Sequence, residues 1–125
     1  QPEADHAIAF SNSRTGSFLD EFWRDAGDGG YFSYKLATSG ETNLSLRVRY
    51  WGAEWGNRAF DIYIDEEKLI SENNTGRWNQ SQFQEISYVI PDAMLRGKTD
   101  IRVKFQAQPQ NTAGAVYYIR LLSGK

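Results

Sequence analysis

Trp23, Trp51, Trp55 and Trp78 are four tryptophans in a polar chain of 125 residues, 14% of which are aromatic. Trp55 and Trp78 are flanked by polar residues or glycine, in Ala53-Glu54-Trp55-Gly56-Asn57 and Gly76-Arg77-Trp78-Asn79. A sugar ring offers an apolar C–H face rimmed by hydroxyls, so an indole platform beside Asn, Asp and Arg groups matches both parts of such a ligand. The candidate ligand-binding set is therefore Trp23, Arg24, Asp25, Trp55, Asn57, Arg77, Trp78 and Asn111. The competing role for each Trp is to close one end of a β-fold, and Trp23 and Trp51, which adjoin Phe22 and Tyr50, lean toward core packing.

Other chemistries are poorly supplied. The chain has no Cys, which excludes disulfides, Cys-ligated zinc, iron–sulfur clusters and thiol catalysis, and its single His, His6, excludes any site needing two imidazoles. Asp25, Asp28 and Glu54 are acids in expected loops, but a domain of this size has little room for the cleft that paired carboxylates need. No catalytic residue is assigned. Asp25-Ala26-Gly27-Asp28-Gly29-Gly30 is an oxygen- and glycine-rich segment that suits either Ca²⁺ or a tight turn; it lacks the alternating acids of an EF-hand. Beyond that calcium, no cofactor is expected. With 14 Lys+Arg against 16 Asp+Glu, the net charge of -2 leaves no basic excess for nucleic acid. The apolar runs are too short to cross a bilayer as helices, and a monomer is expected. The outward cations Arg47, Arg49, Arg102 and Lys104 most simply keep sheet faces hydrated, and could instead meet an acidic partner.

The elements that must position these residues are strands. Leu44, Leu46, Val48 and Tyr50 alternate with polar or outward residues, as do Phe60, Ile62 and Ile64, and Ile101, Val103 and Phe105. Weaker alternation marks 7–11, 31–37, 68–73, 83–90 and 115–122, giving about eight strands of an all-β antiparallel sandwich of jelly-roll type. The expected core is Phe32, Tyr34, Leu44, Leu46, Val48, Phe60, Ile62, Ile64, Ile86, Tyr88, Ile101, Val103, Phe105, Val116 and Ile119. Residues 17–26 place Phe18, Phe22 and Ala26 at helical spacing, so a short helix competes there with a loop, and 91–97 fits one helical turn. If strands run up and down in succession, loops 12–30, 51–58, 74–82 and 107–114 share one end, together with all four Trp.

The ordered segments Thr15-Gly16-Ser17-Phe18, Trp23-Arg24-Asp25-Ala26, Gly30-Tyr31-Phe32-Ser33-Tyr34, Tyr50-Trp51-Gly52, Gly56-Asn57-Arg58-Ala59-Phe60-Asp61-Ile62, Val103-Lys104-Phe105-Gln106-Ala107 and Asn111-Thr112-Ala113-Gly114 resemble the C-terminal β-sandwich of glycoside hydrolase family 127, which includes bacterial β-L-arabinofuranosidases. The resemblance spans nearly the whole chain. It implies that residues 1–125 form a single accessory domain excised from the C-terminal part of a larger glycosidase, in which catalysis belongs to a separate barrel with a zinc-bound cysteine. The opening Gln1-Pro2-Glu3, without an initiator Met, reads as that of a mature or excised piece. It further implies a secreted or periplasmic parent acting on plant-type glycans. More distantly, the layout is similar to galactose-binding-like carbohydrate-binding modules, whose structural calcium acids find only a loose match in Glu3 and Asp5. The domain's partner is then either a glycan or the catalytic domain of its own parent chain. On the second reading, the Trp-Arg-Asp-Ala and Asn-Thr-Ala-Gly segments serve an internal network or a docking face.

Overall fold

The period-two segments all become strands. The computed structural model describes residues 9–18, 21–51, 57–74 and 82–123. Its strands are β1 (Ala9–Phe18), β2 (Glu21–Ala37), β3 (Leu44–Trp51), β4 (Ala59–Ile64), β5 (Glu67–Asn73), β6 (Phe83–Val89), β7 (Asp100–Ala107) and β8 (Thr112–Ser123). A 3₁₀ turn at Asp92–Met94, entered from Pro91, is the single helical turn expected in 91–97. Among the described residues no helix is long and apolar enough to cross a membrane.

The pairings among the described residues are antiparallel, along the path β5-β4-β7-β2-β8-β3-β6, with β1 paired to β2 off that path. The fold is a jelly-roll sandwich because β2 belongs to both layers: residues 31–37 pair with β7, whereas Arg24, Ala26 and Gly27 pair with β8. Tyr50 on β3 lies 6.0 Å from Phe60 on β4, ring to ring, so the two layers face each other across the core.

A corner in β2 makes this possible. Ser11 pairs with Tyr31 and Ser13 with Ala26, so the single residue Asn12 on β1 stands opposite residues 27–30 on β2. Asn12, Asp28 and Gly29 have φ of 50°, 39° and 75°, the left-handed region that Asn, Asp and Gly tolerate best. Asn12 Nδ2 donates to the Gly27 carbonyl at 2.6 Å, which holds the bend. The glycine-rich segment at 25–30 thus serves as the turn anticipated beside the calcium reading.

Two expectations fail in this region. Residues 12–30 are not a loop, and 17–26 do not form a helix: β1 extends to Phe18 and β2 starts at Glu21, with regular pairing from Ser13–Ala26 to Phe18–Glu21. The spacing 18, 22, 26 satisfies a strand as well as a helix, because steps of four are also even. The available partner strand decides between them.

The core follows the alternation. Phe32, Leu46, Val48, Phe60, Ile62, Ile64, Ile101, Val103 and Phe105 are fully buried, as are Tyr50, Ile90 and Leu95 outside the expected set. Ile86 and Ile119 are only partly buried, packing against the core from its margin. Trp23 and Trp51 are not core residues either; both are half-buried on strands. Opposite the corner, polar groups join the margins of the two layers. The Tyr50 and Tyr88 hydroxyls lie 2.8 Å apart, and Tyr88 Oη donates to Glu72 Oε2 on β5 at 2.8 Å. Tyr88→Phe removes both bonds while keeping the ring, and is expected to lower stability by about 1 kcal/mol in urea denaturation.

Candidate functional site

The ends of β3, β5 and β7 and the starts of β4 and β8 meet beside the β2 corner. Asp28 N–H donates to the Asn111 carbonyl at 2.8 Å, and Gln110 N–H donates to Asp28 Oδ1 at 2.8 Å. Asn111 Oδ1 accepts from Ala59 N–H at 3.0 Å, and its Nδ2 donates to the Pro109 carbonyl at 2.9 Å. Thr112 N–H reaches the Asn57 carbonyl at 2.9 Å, and Asn74 N–H reaches the Arg58 carbonyl at 3.1 Å. These bonds tie the corner, the 107–112 turn, the start of β4 and the end of β5 into one platform. The clustering of 51–58, 74–82 and 107–114 at one end, expected from strand parity, is reproduced by the residues that flank them.

Of the candidate ligand-binding residues, Asn57 and Asn111 come together here. Asn57 is exposed and its Nδ2 lies 3.5 Å from the Gln110 carbonyl, whereas both ends of the Asn111 amide are engaged in the platform. Trp55, Arg77 and Trp78 lie outside the described residues, as do Glu3, Asp5, His6 and Glu54. Trp23, Arg24 and Asp25 sit on β2 rather than in a loop. Regular pairing with β1 alternates them between the two faces. Arg24 is buried, with Nη1 donating to Ser13 Oγ at 2.9 Å and its guanidinium 4.5 Å from the Phe10 ring centre. Asp25 is buried and accepts from Arg14 Nη2 at 2.9 Å; this partner holds the Arg14 guanidinium above its ordinary pKa, chiefly through that hydrogen bond. Trp23 packs over Gly16, where a Cβ would come within 2.5 Å of the indole.

No three His, Cys, Asp or Glu side chains cluster to hold a metal among the described residues. Asp25 and Asp28, the two acids of the calcium reading, serve Arg14 and the Gln110 amide respectively.

The outer face of β6, β3 and β8 carries functional groups that the loop argument passed over. Pairing lays Phe83 beside Trp51, then Glu85 beside Arg49 and Tyr118, then Ser87 beside Arg47 and Arg120. Trp51 and Phe83 meet edge to face at 5.2 Å, and Phe83 and Tyr117 at 4.9 Å. Arg49 and Arg120 both lie 5.6 Å from the Tyr118 ring centre. Glu85 accepts from Arg49 Nε at 3.0 Å and lies 3.7 Å from Arg47 Nη1. The Arg49 hydrogen bond, opposed by desolvation and aided by the charges of Arg49, Arg47 and Arg120, holds the Glu85 carboxyl below its ordinary range. The sequence signal was present in the alternation of Arg47, Arg49 and Trp51, but which strands flank them is a matter of topology. On the opposite outer face, Lys104 lies 4.8 Å from the Tyr63 ring and is paired with Glu66 at 2.8 Å.

The fold is similar to that of several solved small domains. A family 35 carbohydrate-binding module from Clostridium thermocellum superposes with a TM-score of 0.66 at 14% identity, over 93% of this chain and 92% of that one. The CBM36-1 domain of a multidomain xylanase from the hindgut metagenome of Trinervitermes trinervoides gives 0.63 at 14% identity, over 95% and 93%. A Xyl-CBM35 in complex with a glucuronic acid containing disaccharide gives 0.53 at 15% identity, over 94% and 78%. At these identities the likeness is one of fold, that of a jelly-roll β-sandwich. The chain belongs to the DUF6805 family, a family of unknown function, whose model matches residues 1–122. No curated protein matches it in sequence.

Proposed function

We propose that this chain is a non-catalytic carbohydrate-binding accessory domain of a bacterial glycoside hydrolase, holding a plant-type glycan at its Trp-rich loop end. The observation that carries the reading is the hydrogen-bonded platform of Asp28, Asn57, Gln110 and Asn111, which also holds Arg58 and Asn74; Asn57 and Asn74 are described residues next in sequence to the segments containing Trp55 and Trp78. Loops anchored on a rigid sandwich are where binding residues concentrate. The full-length likeness in fold to carbohydrate-binding modules supports the same class. In this reading Trp55 and Trp78 stack on the sugar, and Asn57 and Arg77 bond its hydroxyls. The parent is a secreted or periplasmic glycosidase of the family 127 kind, with catalysis on a separate domain, so the isolated chain turns over no aryl glycoside of arabinose, galactose or xylose.

A shallow site of this kind gives affinities of roughly millimolar to micromolar. Calorimetric titration with arabinan, pectin and arabinogalactan fragments is the test. Trp55→Ala and Trp78→Ala are each expected to weaken binding at least tenfold without changing the thermal midpoint. Unchanged affinity in both variants removes the stacking role.

A second reading is favoured by the internal engagement of Arg24, Asp25 and Asn111, each bonded within the domain. Here the loop end docks on the parent's catalytic domain and binds no sugar. Absence of binding to every glycan, together with burial of Trp55 and Trp78 in the intact parent, selects it.

A further inference from the structure

We infer that the outer face of β6, β3 and β8 is a second binding site, selective for a carboxylate-bearing polysaccharide laid across the strands. The site adds to the loop-end reading and does not depend on it.

The face carries Arg47, Arg49 and Arg120 against the carboxylate of Glu85, three positive charges against one, leaving +2 on a chain whose net charge is -2. That local reversal of sign concentrates anions and not cations. A guanidinium presents a planar fork that matches a carboxylate with two parallel hydrogen bonds. Side by side with this charge runs the aromatic row of Trp51, Phe83 and Tyr117, with Tyr118 38% exposed in the next row. A hydrated sheet face needs cations but has no use for four aromatic rings among them.

Spacing joins the two features. Residues two apart on a strand lie about 6.8 Å apart on the same face, and neighbouring strands about 4.8 Å apart. A sugar ring stacked on Tyr118 therefore brings a ring carboxylate within one row of Arg47 and Arg120, which are cross-strand partners, while the Trp51–Phe83 row two rows away extends the apolar track for a further ring. Arg49 is already committed to Glu85, and together they hold the middle of the face rigid. Neutral glycans gain the stacking without the guanidinium bonds, so the face discriminates by charge. A bare polyanion gains the charge without the stacking.

The test uses the 125-residue chain and oligogalacturonate, with its methyl ester and poly-glutamate as the two controls, followed by amide NMR and calorimetry. Oligogalacturonate is expected to shift Arg47, Tyr118 and Arg120 and to bind at least tenfold more tightly than either control. Arg47→Gln combined with Arg120→Gln, or Tyr118→Ala alone, is expected to weaken it at least tenfold while the thermal midpoint stays within a few degrees. Equal binding of poly-glutamate reduces the face to a nonspecific cation patch and overturns the inference. So does equal binding of the methyl ester, absence of shifts on this face, or unchanged affinity in both variants. Shifts confined to Asn57 and Asn111 overturn it too while leaving the loop-end site standing, so the two sites fail separately.

Discussion

Phe105→Ala is expected to cost about 4 kcal/mol. Phe105 is fully buried in the middle of β7, its ring stacked 5.1 Å from Phe32 on β2 and 6.3 Å from Phe60 on β4. Both neighbours belong to paired strands that cannot move inward without breaking ladder bonds, so the cavity left by the ring stays open. A domain of this kind holds only about 5–15 kcal/mol in total, so the variant is expected to lose a large part of its margin. Phe105→Leu keeps most of the volume and is expected to cost about 1.5 kcal/mol. Urea denaturation of the pair is the measurement. A Phe105→Ala variant within 1 kcal/mol of the parent chain contradicts the described core.

The β2 corner supplies the second large effect. A Cβ at Gly30 would lie 2.5 Å from the Ser11 carbonyl oxygen, 2.7 Å from Asn12 Cβ and 2.8 Å from the Gly27 carbonyl oxygen. Two of these are backbone atoms of the strands that the corner joins, so a methyl group cannot be accommodated by a rotamer change. Gly30→Ala is expected to cost about 3 kcal/mol, at the upper end of overpacking losses. Gly29 separates sterics from conformation: it has φ of 75° with nothing within 4 Å of where a Cβ would stand, so Gly29→Ala is expected to cost about 1 kcal/mol. Thermal denaturation should order the two variants in that way. The opposite order contradicts the corner geometry. Because Asp28 and Gly27 hold the loop platform through Asn111, Gln110 and Asn12, Gly30→Ala should also disturb the amide signals of residues 108–112.

How much of this was legible follows from which periods are unambiguous. Leu44 to Tyr50, Phe60 to Ile64 and Ile101 to Phe105 alternate at period two with no competing helical fit, and all become strands with the expected inward sets. Phe18, Phe22 and Ala26 fit both periods, and only the presence of β1 as a partner makes that stretch extended. Parity of the strands was enough to bring the described residues beside 51–58 and 74–82 to the same end as the 107–112 turn, because it needs only the number and direction of the strands. It could not show that Arg24 and Asp25 turn to opposite faces of one strand, each with its own partner. Nor could it assemble the Trp51, Phe83, Tyr117 and Tyr118 face, because sequence order places β8 far from β3 and only the crossover connections make them neighbours. Likewise, Asn111 reads in sequence as a free amide, yet its contact with Ala59 spans 52 positions of the chain.

The most direct measurement of the central claim is an amide NMR titration of the 125-residue chain with arabinan, pectin and arabinogalactan fragments. Saturable shifts should appear at Asn57, Gln110 and Asn111 and at the Trp55 and Trp78 indoles, while the core strands stay unmoved. A titration in which none of the three fragments shifts any of these signals, with the domain folded throughout, contradicts glycan binding at the loop end.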